Sequence, residues 1–299
     1  MIERPDPKDI GFRIRSRSGA IAALFLLAVA VLAGSGQLPA TGAADDAVWA
    51  DFIAWFKSVP PGPAPPPLDA YAAKLAQEGL SKGEVARRMG LVVKLFAERP
   101  DGPEAFYDRA YARPATGDPV KDGFASVPSA FLMEAVKGLE PRTALDVGAG
   151  QGRNAVWLAG QGWDVTGIDI SGVGLAAAQA SAAEAGVTIR TVRTAYDDYD
   201  FGTEKWDLVA MIFAWAPIAD PAFKAKVAKS LRPGGLIVFE HFVTDAEHPR
   251  APMVRALSPG ELRDLFSDFE VLSYEEKEAI GDWGGPGSLL VRMAARKPS

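Results

Sequence analysis

Residues 143–152 read Thr-Ala-Leu-Asp-Val-Gly-Ala-Gly-Gln-Gly, an apolar β-type run that breaks into three glycines two positions apart. Glycines at 148, 150 and 152 let the backbone turn sharply and come close to a ligand without β-carbons in the way. The run that follows, RNAVWLAGQG, has helical spacing, so the start of a helix with its unpaired N–H groups is expected beside the loop. Strand, glycine loop and helix in this order belong to open α/β sheets, where ligands sit beyond the carboxyl ends of the strands.

The rest of the chain from Arg142 onward repeats the alternation. WDVTGIDI reads as a second strand ending at Asp169, followed by an alanine-rich helix from Gly174 to Ala185. VTIRTVR, WDLVAMIF and GLIVFEHF read as further strands, with the helix PAFKAKVAKSL and the turn Arg232-Pro-Gly-Gly235 before the last of these. A helix opening at Ser258-Pro-Gly-Glu261 has capping-box spacing and precedes FEVLSYEE and SLLVRMAAR. The pattern predicts an α/β doubly wound, Rossmann-like sheet with helices on both faces. Asp169, about twenty residues past the glycines, places a carboxylate where it can accept from both hydroxyls of a ribose. A dinucleotide fingerprint needs G-x-G-x-x-G, whereas here the third glycine comes one residue early and Arg153 stands where a glycine is required.

Composition narrows the partners. With 299 residues, 48% of them hydrophobic, the chain can bury a full core and make one to two domains. A net charge of −6 offers no footprint for a nucleic-acid backbone, so no nucleic-acid partner is expected. No cysteine and only His241 and His248 argue against a metal centre and against thiol chemistry.

The first 135 residues have a different character. Residues 19–36, GAIAALFLLAVAVLAGSG, carry no charge and follow Arg13, Arg15 and Arg17. Their length fits either a signal peptide cleaved near Ala40 to Ala44 or an uncleaved membrane anchor, so residues 1–44 read as a signal or membrane-anchor segment. The basic flank on one side and Asp45, Asp46 and Asp51 on the other would put the remainder outside the cytoplasm by the positive-inside rule. A start at Met89 would remove the segment altogether. Residues 45–67 read as a short amphipathic helix and a proline-rich spacer ending at Pro67. Residues 68–135 read as a helical extension, opening with a helical hairpin in which Ser81 caps the second helix.

The run ALDVGAGQGRNAVWLAGQGWDVTGIDIS resembles the first and second motifs of class I S-adenosylmethionine-dependent methyltransferases, and KWDLVAMIF with SLRPGGLIVFEHF resembles their later motifs. Within that superfamily, Gly-Arg-Asn after the glycines is similar to the tellurite-resistance and thiopurine-type small-molecule enzymes. The resemblance covers most of Arg142–Lys297 and makes residues 136–299 the methyltransferase domain. It implies a seven-stranded sheet whose last strand is antiparallel, with S-adenosyl-L-methionine as cofactor. Asp146, Gly148, Ala149, Gly150, Gly152 and Asn154 would hold the methionine end, Asp169 the ribose, and Ile170 and Phe213 would flank the bound molecule. The family's acidic residue after the third strand falls on Ala195 here, which leaves Tyr196 and Asp197 as adenine contacts.

Methyl transfer from a sulfonium is an in-line displacement that alignment alone can accelerate strongly. Where the acceptor must lose a proton, His241 or Glu240 at the end of the fifth strand are the candidate bases. Trp215 is expected to wall the acceptor pocket or face the sulfonium. Tyr107 and Tyr111, in a short aromatic helix ahead of the domain, and Trp283, in a glycine-rich loop near the end, are candidate lid residues. The expected function is methylation of a small-molecule acceptor by a membrane-associated enzyme. An inactive membrane-anchored binding or scaffold protein of the same fold is the alternative.

Overall fold

The computed structural model describes residues 42–60, 68–113, 125–248, 256–281 and 287–299. Residues 19–36 and Trp283 lie outside the described residues, as do most of the proline-rich stretch and residues 114–124. Among the described residues no helix is long and apolar enough to cross a membrane.

The front of the described chain is a helical unit of α1 (Ala43–Ser58), α2 (Leu68–Gln77), α3 (Lys82–Glu98) and α4 (Asp101–Tyr111). Ser81 caps α3 by accepting from the Glu84 N–H. The short helix read ahead of the proline-rich spacer supplies half of a common core: Trp49, Phe52 and Phe56 of α1 pack with Tyr71, Leu75, Val92 and Leu95 of α2 and α3, and Ala105 of α4 closes it. Gly102 permits this closure, since a β-carbon there would lie 3.0 Å from the Trp49 ring.

The domain that follows contains α5 (Ala130–Ala135), β1 (Thr143–Val147), α6 (Arg153–Gly160), β2 (Asp164–Asp169), α7 (Gly172–Glu184) and β3 (Arg190–Arg193). It continues with β4 (Trp206–Ile212), α8 (Pro221–Ser230), β5 (Leu231–Phe242), α9 (Glu261–Leu265), β6 (Glu270–Ala279) and β7 (Ser288–Arg296). The seven strands form one sheet in the order β3-β2-β1-β4-β5-β7-β6. Strands β1 to β5 pair in parallel, and β7 runs antiparallel to both β5 and β6.

The central strands are apolar on both faces because both are covered. Along β4, Leu208, Ala210 and Ile212 enter one core while Val209 and Met211 enter the other; Leu236, Val238, Ile237 and Phe239 of β5 divide in the same way. Strand order reverses at β1, which has β2 on one side and β4 on the other. The crevice beyond the carboxyl ends of β1 and β4 is therefore where a ligand is expected, and it is where the cavity lies.

Candidate functional site

A cavity of about 630 Å³ opens at this point, lined by the whole glycine loop, Asp169, Ile170, Tyr107, Tyr111 and the turn after β4. The loop is fastened from below. The N–H groups of Gly148 and Ala149 both donate to the Ile168 carbonyl at 2.9 and 3.0 Å, and Gly152 N–H donates to Ala149. Gly150 N–H donates to Asp169 Oδ2 at 2.8 Å, and Ser171 N–H donates to Asp169 Oδ1 at 2.8 Å. Four loop amides are thus used inside the fold. A loop with its amides turned inward is poorly equipped to cradle a pyrophosphate, and what it offers instead is shape and two carboxylates.

The first glycines are required by close neighbours. Gly148 has φ +74°, and a β-carbon on it would stand 3.0 Å from that of Ala214 in the turn after β4. Gly150 has φ +52°, and a β-carbon there would meet the Tyr111 hydroxyl oxygen at 2.5 Å. The turn carrying Ala214 is itself strained: Phe213 has φ +54°, a left-handed conformation uncommon for a bulky residue, held by its N–H donating to the Glu240 carbonyl at 2.7 Å. That backbone turn brings Phe213, Ala214 and Trp215 across the strand ends to the cavity wall.

Two buried carboxyls give the site its electrostatic character. Asp146 is 1% exposed, and its Oδ2 has no hydrogen-bond partner among the described residues. Burial raises its pKa to about 7, against a downward pull from the Arg153 charge and the Ala155 N–H. Asp169 is also pushed up by burial, opposed by the N–H groups of Ser171 and Gly150. The fixed Asp169 carboxylate lines the cavity and can receive a pair of hydroxyls, while the orphaned Asp146 oxygen lies beneath the loop, outside the lining. A ribose fits the Asp169 end of this arrangement.

Residues 144–235, the stretch that contains the loop, Asp169 and the turn after β4, match the methyltransferase domain family. The match covers 92 of the 299 residues, and in that stretch the chain is similar to methyltransferase domains. The chain is 33% identical over 192 residues to Hemagglutinin 1 of Eikenella corrodens, covering 60% of this chain and 62% of that protein. It is 32% identical over 111 residues to the ubiquinone biosynthesis O-methyltransferase of Pectobacterium atrosepticum, covering 36% of this chain and 46% of the relative. A solved structure described as converting a disulfide bond into a thioacetal group during echinomycin biosynthesis superimposes with a TM-score of 0.50 at 20% identity. That superposition covers 66% of this chain and 92% of the other and is a likeness of fold.

The sheet domain, with α4, brings many of the expected site residues to one cavity. Gly148, Ala149, Gly150, Gly152, Asn154, Asp169, Ile170, Tyr196 and Phe213 all line it, as do Tyr107, Tyr111 and Trp215. Asn154 has a structural engagement as well, since its Oδ1 accepts from the Ser129 N–H at 2.9 Å and ties α5 to α6. Asp197 is exposed and outside the lining, because the chain after β3 turns it to solvent while Tyr196 points inward and donates to the Trp215 carbonyl at 3.1 Å.

The two candidate bases lie behind the wall. His241 is 1% exposed and sits behind Trp215, with ring centroids 4.6 Å apart at 77°. Its Nδ1 accepts from the Phe242 N–H at 2.7 Å, so the neutral ring carries its proton on Nε2 and presents a donor there. Glu240 is 4% exposed and accepts from Ser129 Oγ and from Arg292 Nε, both at 2.7 Å. Arg292 faces it across the antiparallel β5–β7 register and also donates to Glu275. Sequence reading missed Arg292, Ser129 and the residue that fastens α4, Asp108.

Proposed function

We propose that this chain transfers a methyl group from S-adenosyl-L-methionine to a small-molecule acceptor. The observation that carries this reading is a single cavity that joins the glycine loop and Asp169 to an aromatic wall of Tyr107, Tyr196, Phe213 and Trp215. S-adenosylmethionine, when bound, supplies an electrophilic methyl on a sulfonium. Asp169, with each oxygen already fixed by one backbone N–H, has the remaining lone pairs free to orient the ribose hydroxyls. Asp146 offers its buried oxygen to the amino-acid end, and Ile170 and Tyr196 flank the adenine. Burial pushes the Tyr107 phenol well above its usual range, so it stays protonated and works as a hydrogen-bond donor.

Trp215 and Phe213 present aromatic surface to the cavity, suited to a small apolar acceptor or to the sulfonium charge. Catalysis on this reading rests on alignment and exclusion of water, with an acceptor proton leaving to solvent instead of to His241 or Glu240. Among the relatives, an O-methyltransferase of ubiquinone biosynthesis supports a small acceptor. The test uses the full chain: calorimetric titration with S-adenosylhomocysteine, then release of S-adenosylhomocysteine from the methyl donor with a panel of phenolic, thiol and amine acceptors. Saturable binding and acceptor-dependent release are expected; absence of saturable binding would end this reading.

A further inference from the structure

Helix α4 belongs to two structures at once. One face, Gly102 and Ala105, closes the core of the helical unit, where the Trp49 indole N–H donates to Asp101 at 2.8 Å and Arg109 donates to the carbonyls of Val59 and Pro60. The other face shows Glu104, Tyr107, Asp108 and Tyr111 at i, i+3, i+4 and i+7, so these four side chains lie along one stripe. Each of them meets the cofactor half of the domain. Glu104 pairs with Arg193 at the end of β3. Tyr107 lines the cavity, its ring stacked on Tyr111 with centroids 6.1 Å apart at 23°. Tyr111 lies in the notch between Gly150 and Gly174, where a β-carbon on either glycine would come within 2.5 and 2.8 Å of it.

Asp108 makes the directional contacts in this stripe. Its Oδ1 accepts from Ser171 Oγ at 2.6 Å and from the Val173 N–H at 3.2 Å, so it acts as a second cap on α7, supplied from another part of the chain. Ser171 is itself the α7 N-cap, accepting from the Gly174 N–H at 2.9 Å, and its own N–H donates to Asp169. A path of hydrogen bonds therefore runs from Asp108 through Ser171 to Asp169, and from Asp169 to Gly150.

We propose that Asp108 is a positioning residue that docks α4 onto the start of α7, and that through it occupancy of the cofactor cavity is coupled to the order of the whole helical unit. This rests on the cofactor reading above. With Asp108 in place, Tyr107 and Tyr111 are held against the cavity and Ser171 holds Asp169 in its ribose-facing rotamer. Without it, the donor must supply the energy to bring α4 down, and its apparent affinity falls by the fraction of molecules in which the helix is docked.

The experiment compares the full wild-type chain with Asp108→Ala and Asp108→Asn. Asp108→Ala is expected to weaken S-adenosylhomocysteine binding about 10- to 100-fold, the loss of the two hydrogen bonds that Oδ1 accepts. The donor KM should rise with kcat at saturating donor and acceptor KM unchanged. Asp108→Asn keeps an acceptor oxygen for both donors and should restore most of the affinity. In wild type, S-adenosylhomocysteine should slow amide hydrogen exchange across α1–α4; in Asp108→Ala the slowing should be confined to the glycine loop and α7. Gly174→Ala, which leaves Asp108 intact but crowds Tyr111, should weaken binding in the same direction and serves if Asp108→Ala does not fold. Wild-type affinity in Asp108→Ala, or in Gly174→Ala where that variant replaces it, or unchanged exchange in α1–α3 on binding, would overturn the coupling while leaving the cofactor reading intact. No binding by wild type would remove both.

Discussion

Asp146 is where the ligand-free fold and the cofactor site pull in opposite directions. Its carboxyl is buried beneath the glycine loop and its pKa is raised from 3.8 to about 7. In the unfolded chain the group loses its proton near 3.8, so between these values the native state holds a proton that the unfolded state has released. Stability from this group is complete below pH 3.8 and is lost as pH rises through 7. A difference of about 3 units at 1.36 kcal/mol each amounts to about 4 kcal/mol lost by neutral pH. Asp146→Asn removes the titration but buries an amide whose unmade hydrogen bonds cost about 1–3 kcal/mol. Net, the variant should be more stable than wild type by about 1–3 kcal/mol at pH 8, without ligand. The diagnostic is the slope. Urea unfolding of both proteins at half-unit steps should show their difference climbing by about 1.4 kcal/mol per pH unit from about pH 4.5 to 6.5 and levelling above about 7. The same variant should bind S-adenosylhomocysteine about tenfold or more weakly, because the charge that destabilises the free fold is the one offered to the ligand. A pH-independent difference would show that Asp146 is already ionised in the native state at pH 5 and would refute this account of the site.

Other perturbations separate binding from scaffold. Asp169→Ala should weaken S-adenosylhomocysteine by about 1.5–3 kcal/mol in calorimetry while the chain stays folded; unchanged affinity would remove Asp169 from the ribose. Gly150→Ala introduces a β-carbon 2.5 Å from the Tyr111 hydroxyl at a φ of +52°, so it should both lower the melting temperature and abolish measurable binding. Arg292→Ala leaves Glu240 buried without its ion-pair partner and should destabilise by about 3–5 kcal/mol in chemical denaturation. Glu240→Gln, by contrast, should leave kcat within a few-fold of wild type once the folded fraction is measured, and a loss of several orders of magnitude would return Glu240 to the list of bases.

The parts of this molecule that were legible in the sequence are those set by near neighbours. Alternating apolar runs mark strands covered on both faces, three glycines mark a turn with close contacts, and a carboxylate at a strand end faces the crevice wherever the topology reverses. Each of these depends on a few consecutive residues. What was hidden depends on residues that meet only after folding. Glu240 and His241 are adjacent in a strand that reads as a route to the active site. Yet the β5–β7 register sets Arg292 opposite Glu240, and the Phe242 N–H fixes the imidazole proton on the far nitrogen. The Glu–Arg match could have been found by aligning Glu240, the single acidic residue of GLIVFEHF, with Arg292, the arginine in the middle of SLLVRMAAR. Asp108 was visible only as a member of a helical stripe, because its partners lie 63 and 65 residues away in a cap that exists only when α4 is docked. The same contact explains why Gly174 and Gly150 are both glycines: one tyrosine ring, delivered by a helix that the sequence assigned to an extension, occupies the space in front of each. The helical unit is therefore part of the cofactor cavity's construction, and truncation to the sheet domain alone removes a wall of the site.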